Sequence, residues 1–231
     1  MTGREALAAS IRGVPEYPDT AFFKQGFFER LLSAYYDAGD DELLLDRMEY
    51  WGPTYPNGEW YPHYHYLLGR EAFLARDVPR AEDHLGRLSL HDPGGDAAFL
   101  MRARLADEAE NVVDALVLYR ELAEGAEGTY ALRGLVRSAD LEFQRGRITV
   151  ARDTYREVLK QDLPNDERAW ALYQVANCAL LAGDETTAKK TYETLTNDLP
   201  EAYWAQMARE RLDSVEWGGD VARKIEEMKN P

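Results

Sequence analysis

One ladder of four residues recurs along this chain with fixed spacing and limits what it can fold into. In "ALYQVANCALLAGDETTAKKTYETLTNDLP", residues 171–200, Ala176 is followed by Ala188 twelve residues on, Tyr192 four later and Leu195 three after that. The same offsets return as Gly69, Ala81, Leu85, Leu88; as Ala103, Ala115, Tyr119, Leu122; and as Ala139, Ala151, Tyr155, Val158. Start-to-start intervals drift from 34 to 36 to 37 residues. Constant spacing inside a unit with variable joints between units marks separate modules stacked by their contacts. Leu32, Leu44, Met48 and Trp51 keep the offsets with bulky residues, as a degenerate terminal unit does.

The ladder has a physical reading. Two antiparallel helices with a small residue on each at the crossing bring their backbones close, and large residues one and two turns later fill the flanks. Gly183-Asp184 fits the turn between them, with glycine in a left-handed C-terminal position and aspartate capping the next helix, and Pro200 stops the second helix. One such pair cannot bury its apolar stripe, so neighbours must stack.

These residues resemble the tetratricopeptide repeat family over about residues 20–212. In that family's 34-residue unit, small residues stand at positions eight and twenty, an aromatic at twenty-four and proline at thirty-two. Pro93 and Pro200 match the proline position and Pro164 lies one residue beyond, while the third unit ends in "EGAEG" without one. At the fourth position, usually Trp, this chain has His65, Phe99, Leu135 and Leu172. The resemblance implies an all-α fold, a right-handed superhelical solenoid of antiparallel helix pairs with about five repeats plus C-terminal capping helices. The expected organisation is a single solenoid domain: an N-terminal segment 1–19, a degenerate repeat 20–56, repeats 61–93, 96–128, 131–164 and 168–200, and capping helices 201–231. In the cap, "PEAYWAQMARERLDSVEW" repeats the first-helix phase through Trp204, Met207 and Ala208, and "DVARKIEEMKN" adds a short helix after Gly218-Gly219. "LPEAYWAQMARERL" is also similar to repeats of bacterial envelope-associated scaffolds.

Composition excludes several function classes. A net charge of -15 and a pI of 4.7 repel nucleic-acid phosphates and anionic lipid, so neither is an expected partner. No run approaches the roughly 18 apolar residues that a membrane helix needs, and "MTGREALAASIRG" lacks the build of a signal peptide. The chain as given is expected to be cytoplasmic, or periplasmic and envelope-associated if a signal segment has been removed. Cys178, the single cysteine, excludes an internal disulfide and reads as a packed hydrophobe.

The resemblance places the concave wall on the first helix of each unit, at positions two, five, nine and twelve. Those positions are His63, Tyr66, Arg70 and Phe73; Ala97, Leu100, Arg104 and Asp107; Arg133, Val136, Asp140 and Phe143; and Trp170, Tyr173, Asn177 and Leu180, with Arg137 bordering. Guanidinium forks bind carboxylates bidentately, and aromatic walls hold apolar side chains. The candidate peptide-binding groove is therefore His63, Tyr66, Arg70, Phe73, Leu100, Arg104, Arg133, Arg137, Tyr173 and Asn177, for another protein's peptide or helix, acidic or C-terminal. The competing reading pairs Arg70, Arg104 and Arg133 with Asp107, Asp140 and other carboxylates, leaving no basic patch.

No catalytic role is expected. His63 and His65 stand two apart, about 200 degrees around a helix, and cannot readily chelate one ion; His84 and His91 have no zinc-helix spacing. Nucleophile-elbow, P-loop and dinucleotide motifs do not occur, and the acidic clusters "DAGDDE" and "RLADEAE" read as capping and solvation. Neither metal nor cofactor is expected. The leading expectation is a non-enzymatic interaction scaffold; the alternative is a structural subunit of a larger or self-associating assembly.

The aromatic stretch "WGPTYPNGEWYPHYHY", residues 51–66, fits as a joint: Trp51 ends one ladder, Pro56 stops the helix, Asn57-Gly58 turns, and Pro62 suits the next helix's first turn.

Overall fold

In a computed structural model, the chain is described over residues 61–214. The N-terminal segment 1–19, the degenerate repeat 20–56, the joint from Trp51 to Trp60 and the short helix expected after Gly218-Gly219 lie outside the described residues. By its contacts the chain divides into two compact units, residues 1–102 and 103–231.

The described residues form nine helices and no strand. The first unit holds α1 (Tyr61–Leu74) and α2 (Val78–Leu85), and α3 (Gly95–Glu108) crosses the division. In the second unit follow α4 (Val112–Gly125), α5 (Gly128–Gln144), α6 (Ile148–Val158), α7 (Asn165–Leu181), α8 (Glu185–Asp198) and α9, residues 203–214. Packed neighbours are α1 on α2, and then α4 on α5, α5 on α6, α6 on α7, and α7 on α8.

The ladder is the core. Gly69 is buried, as are Ala81, Leu85, Leu88, Ala103, Ala115, Tyr119, Leu122, Ala139, Ala151, Tyr155, Val158, Ala176, Ala188, Tyr192 and Leu195. A Cβ on Gly69 would fall 2.6 Å from the Leu85 side chain and 3.1 Å from its amide nitrogen, so the pair crosses there as closely as the spacing implies. One detail differs from expectation: α2 ends at Leu85, and Leu88 lies just beyond it. Gly86 caps the helix, and a tight turn bonding the Leu88 amide to the Leu85 carbonyl at 3.2 Å still returns Leu88 to the core.

Each unit turns at the same place. Seven residues after the small ladder residue, Arg76, Glu110, Gly146 and Gly183 take left-handed φ values of 62°, 57°, 73° and 79°. The next amide reaches back over the turn in every case: Asp77 to Ala72, Asn111 to Ala106, Arg147 to Glu142 and Asp184 to Ala179, at 2.8–2.9 Å. This closure satisfies carbonyls that a helix end otherwise leaves open. Asp77 and Asp184 then cap the second helices, accepting from the Arg80 amide at 3.3 Å and the Thr187 amide at 3.0 Å. Arg147 stands at that position in the unit of α5 and α6 and makes no side-chain cap.

At the other end α9 closes the core of α7 and α8. Ala205 and Ala208 are fully buried, and Trp204, Met207 and Leu212 pack against the cluster around Tyr173, Ala176 and Tyr192. Arg209, Glu210 and Arg211 stay exposed, in keeping with a polar outer face. Among the described residues no helix is long and apolar enough to cross a membrane.

Candidate functional site

The candidate residues of the unit 1–102 lie on α1 and α3. His63, Tyr66, Phe73 and Leu100 are half-buried, and Arg70 is exposed. Tyr66 lies against the turn before α3: a Cβ on Gly94, whose φ is +78°, would come within 2.6 Å of the Tyr66 ring. Only glycine combines that conformation with that proximity. Arg102 is engaged within the same unit, 3.6 Å from Glu82 and over the Phe99 ring.

In the unit 103–231 the candidates lie on the end of α3, on α5 and on α7. Arg137 binds Asp107 of α3 and, at 3.2 Å, Asp140 one turn on in α5. Tyr155 of α6 donates its hydroxyl to the other oxygen of Asp140 at 2.6 Å. Burial opposes the Arg137 charge, yet its bonds to Asp107 and Tyr119 and the nearby carboxylates hold the guanidinium above its ordinary pKa. Burial also raises the Asp140 carboxyl, against the pull of Tyr155 and Arg137. Burial first, and then Asp140, pushes the Tyr155 hydroxyl up.

Asp107 and Asp140, two of the carboxylates that the competing reading assigns to Arg70, Arg104 and Arg133, are thus held by Arg137. Arg104 is exposed and meets Glu108 at 3.9 Å, while exposed Arg133 has no ion pair among the described residues. Asn177 is half-buried, donating to Gln174 at 2.9 Å and accepting from Tyr192 at 2.5 Å. Tyr173 is only 9% exposed, its ring 5.1 Å from Trp204 and 6.4 Å from Trp170, with Arg211 bonded to its hydroxyl. Of the candidate residues in this unit, Arg137, Asn177 and Tyr173 are thus already engaged within the fold.

Two arrangements were not legible in the spacing. Glu142 of α5 is 1% exposed and is bound by Arg120 of α4 and, at 3.6 Å, by Arg147. In the first unit His65 is 5% exposed, and its Nδ1 lies 2.9 Å from Nδ1 of His84 on α2. The buried ladder position beside His65 was a signal for its burial; nothing in the sequence pointed to His84 as its partner. Cys178 is fully buried, and burial pushes its thiol up to about 11. Among the described residues, no group of three or more His, Cys, Asp or Glu is placed to hold a metal ion.

A search of curated proteins returns no match to the chain. The family model of the tetratricopeptide repeat matches residues 170–202, which take in most of α7, all of α8 and the turn after it. The same buried ladder and the same left-handed turn recur in each helix pair of the described residues. Residues 170–202 are thus a tetratricopeptide repeat, and the other helix pairs of the described residues share its ladder and turn.

Proposed function

We propose that this chain is a non-enzymatic interaction scaffold that holds a peptide segment or helix of a partner protein against the first helices of its repeats. Protein–protein interaction is what this repeat serves in general. The observation that carries the finer reading is Arg133, exposed on α5 and without an ion pair among the described residues, in a chain of charge -15. A guanidinium left open amid so many carboxylates is suited to a carboxylate from outside. On the same first helices Arg137 holds Asp107 and Asp140, and Asn177 is held by Gln174 and Tyr192, so these polar groups are organised before any partner arrives. Arg70 offers the same open guanidinium on α1, within its own unit. An acidic or C-terminal segment is the partner chemistry that this arrangement favours.

Affinity capture with the intact chain and with Arg133→Glu tests the reading. Captured partners should be lost from the variant while its helical circular dichroism and melting stay unchanged, and binding of the wild type should weaken as salt rises. An unchanged set of captured proteins would remove Arg133 from the binding face. Growth in particle size with concentration, measured by light scattering on the chain alone, would instead favour a self-associating structural subunit.

A further inference from the structure

All four histidines of the chain lie between residues 63 and 91, and two of them face each other across a helix pair. His65 Nδ1 on α1 and His84 Nδ1 on α2 are 2.9 Å apart, with ring centroids at 5.1 Å. Two nitrogens at that separation share one proton. The remaining nitrogen of His65, Nε2, is buried and has no hydrogen-bond partner among the described residues. A buried N–H without an acceptor is costly, whereas a bare ring nitrogen there only forgoes a bond. The geometry therefore places the shared proton on His65 Nδ1, donating to His84 Nδ1, with the proton of His84 on its Nε2.

A further proton has no good place in this pair. On His65 it must sit at Nε2, where a charged N–H would be buried without an acceptor. On His84 it either sets two N–H groups against each other or forces the proton of His65 onto the same Nε2. We propose that the His65–His84 pair fastens α1 to α2 only while both imidazoles are neutral, so that mild acid loosens this helix pair.

Among the described residues, the groups around His65 do not rescue its charged form. From α1, the rings of Tyr61 and Tyr64 stand edge-on to His65 at 4.4 and 4.9 Å, and Tyr64 also meets His84. From α2, Asp83 favours a charged His65, but Asp83 is tied to Arg87 at 2.9 Å, and Arg87 opposes that charge. Burial is the largest influence, followed by His84, and together they lower His65 to about 4. The sign follows directly. A histidine whose folded pKa is depressed contributes stability that is complete above the unfolded value of 6.5 and is lost as pH falls towards about 4. Between pH 7 and pH 5 this one group would shift the α1–α2 folding equilibrium by about twenty-fold towards opening.

Nuclear magnetic resonance on the full chain with nitrogen-15-labelled histidine tests the proposal. Long-range proton–nitrogen spectra at pH 7.5 should show His65 protonated at Nδ1 and His84 at Nε2, and His65 should not titrate until below pH 5. Urea unfolding, followed on α1 and α2 amide resonances, should show the roughly twenty-fold loss from pH 7 to pH 5. That loss should be absent in His65→Phe. His65 protonated at Nε2, a midpoint near 6.5, or the same acid loss in His65→Phe would each overturn the proposal. If His65→Phe does not fold, the wild-type tautomers and titration decide the matter alone.

Discussion

The hydroxyl of Tyr192 donates to Asn177 Oδ1 at 2.5 Å, joining the second helix of its unit to the first. One unit earlier Tyr155 makes the same bond to Asp140 at 2.6 Å, across the same fifteen residues. In these two units the tyrosine of the ladder thus fills the flank of the helix crossing with its ring and ties a polar residue of the first helix with its hydroxyl. In the unit before, Arg104 stands fifteen residues ahead of Tyr119, and Tyr119 bonds instead to Arg137.

The two neighbouring units show which exchange the wall should tolerate. Asp140→Asn reproduces the Tyr192–Asn177 arrangement and leaves Arg137 its bond to Asp107, so unfolding in urea at pH 7 should change by less than about 1 kcal/mol. Tyr155→Phe removes the donor and leaves Asp140 less satisfied, a loss of about 1–3 kcal/mol. The pH dependence separates them further. Because burial raises the Asp140 carboxyl, the folded chain holds that proton more tightly than the unfolded one. Wild type should therefore gain stability relative to Asp140→Asn as pH falls from 7 towards the carboxylate range, and a gap that is constant with pH would contradict the assignment.

Glu110 occupies a position that two other units give to glycine. Its φ of 57° matches Gly146 at 73° and Gly183 at 79°, and a side chain in that region costs roughly 1 kcal/mol or more. Glu110→Gly should raise stability by a few tenths to about 1 kcal/mol, since backbone strain is relieved at some cost in unfolded-chain entropy. Gly183→Ala should lower it by about 1 kcal/mol. Thermal melts of the two variants should move in opposite directions, and equal shifts would show that the turn is not what these residues serve.

The ladder and its turns could be read from residue spacing because they depend on helical period and on side-chain size, which sequence displays directly. The ion pairs could not. Asp107 lies thirty residues from Arg137 and meets it through an inter-unit approach that no periodicity specifies. Arg104 and Arg133 have the phase for the wall, yet Arg137, one position off that phase, has the reach to take both carboxylates. Glu142 was hidden for another reason: a charged residue beside the buried Leu141 reads as solvated until Arg120 and Arg147 are seen to cover it. Burial followed the period, while pairing followed rotamers and the spacing of neighbouring units.

Two glycines on first helices test how closely the second helices approach. A Cβ on Gly134 would lie 2.5 Å from the Tyr119 carbonyl oxygen and 2.7 Å from the Ala123 amide nitrogen, both α4 backbone. On Gly69 it would meet the flexible end of Leu85 at 2.6 Å, with backbone no nearer than 3.1 Å. A side chain can rotate away, but a helix backbone must move as a body. Gly134→Ala should therefore cost about 2–3 kcal/mol or more, and Gly69→Ala less, about 1 kcal/mol. Chemical denaturation of the two variants checks the order, and the reverse order would mean that α4 and α5 do not approach so closely.

The clamp on Glu142 should respond asymmetrically to which partner is removed. Arg120 and Arg147 are each about half exposed, whereas Glu142 is 1% exposed. Glu142→Gln keeps the shape and frees two arginines that water can solvate, so the loss should stay near 1–2 kcal/mol. Arg120→Ala combined with Arg147→Ala strands a buried carboxylate, which costs roughly 3–5 kcal/mol when nothing replaces the partners. Adding Glu142→Gln to that double variant should recover most of the loss, because the stranded charge and not the missing arginines causes it. Urea unfolding of the three variants gives the comparison directly. If the triple variant is no more stable than the double, the carboxylate has found other solvation, and the clamp is not what keeps Glu142 inside.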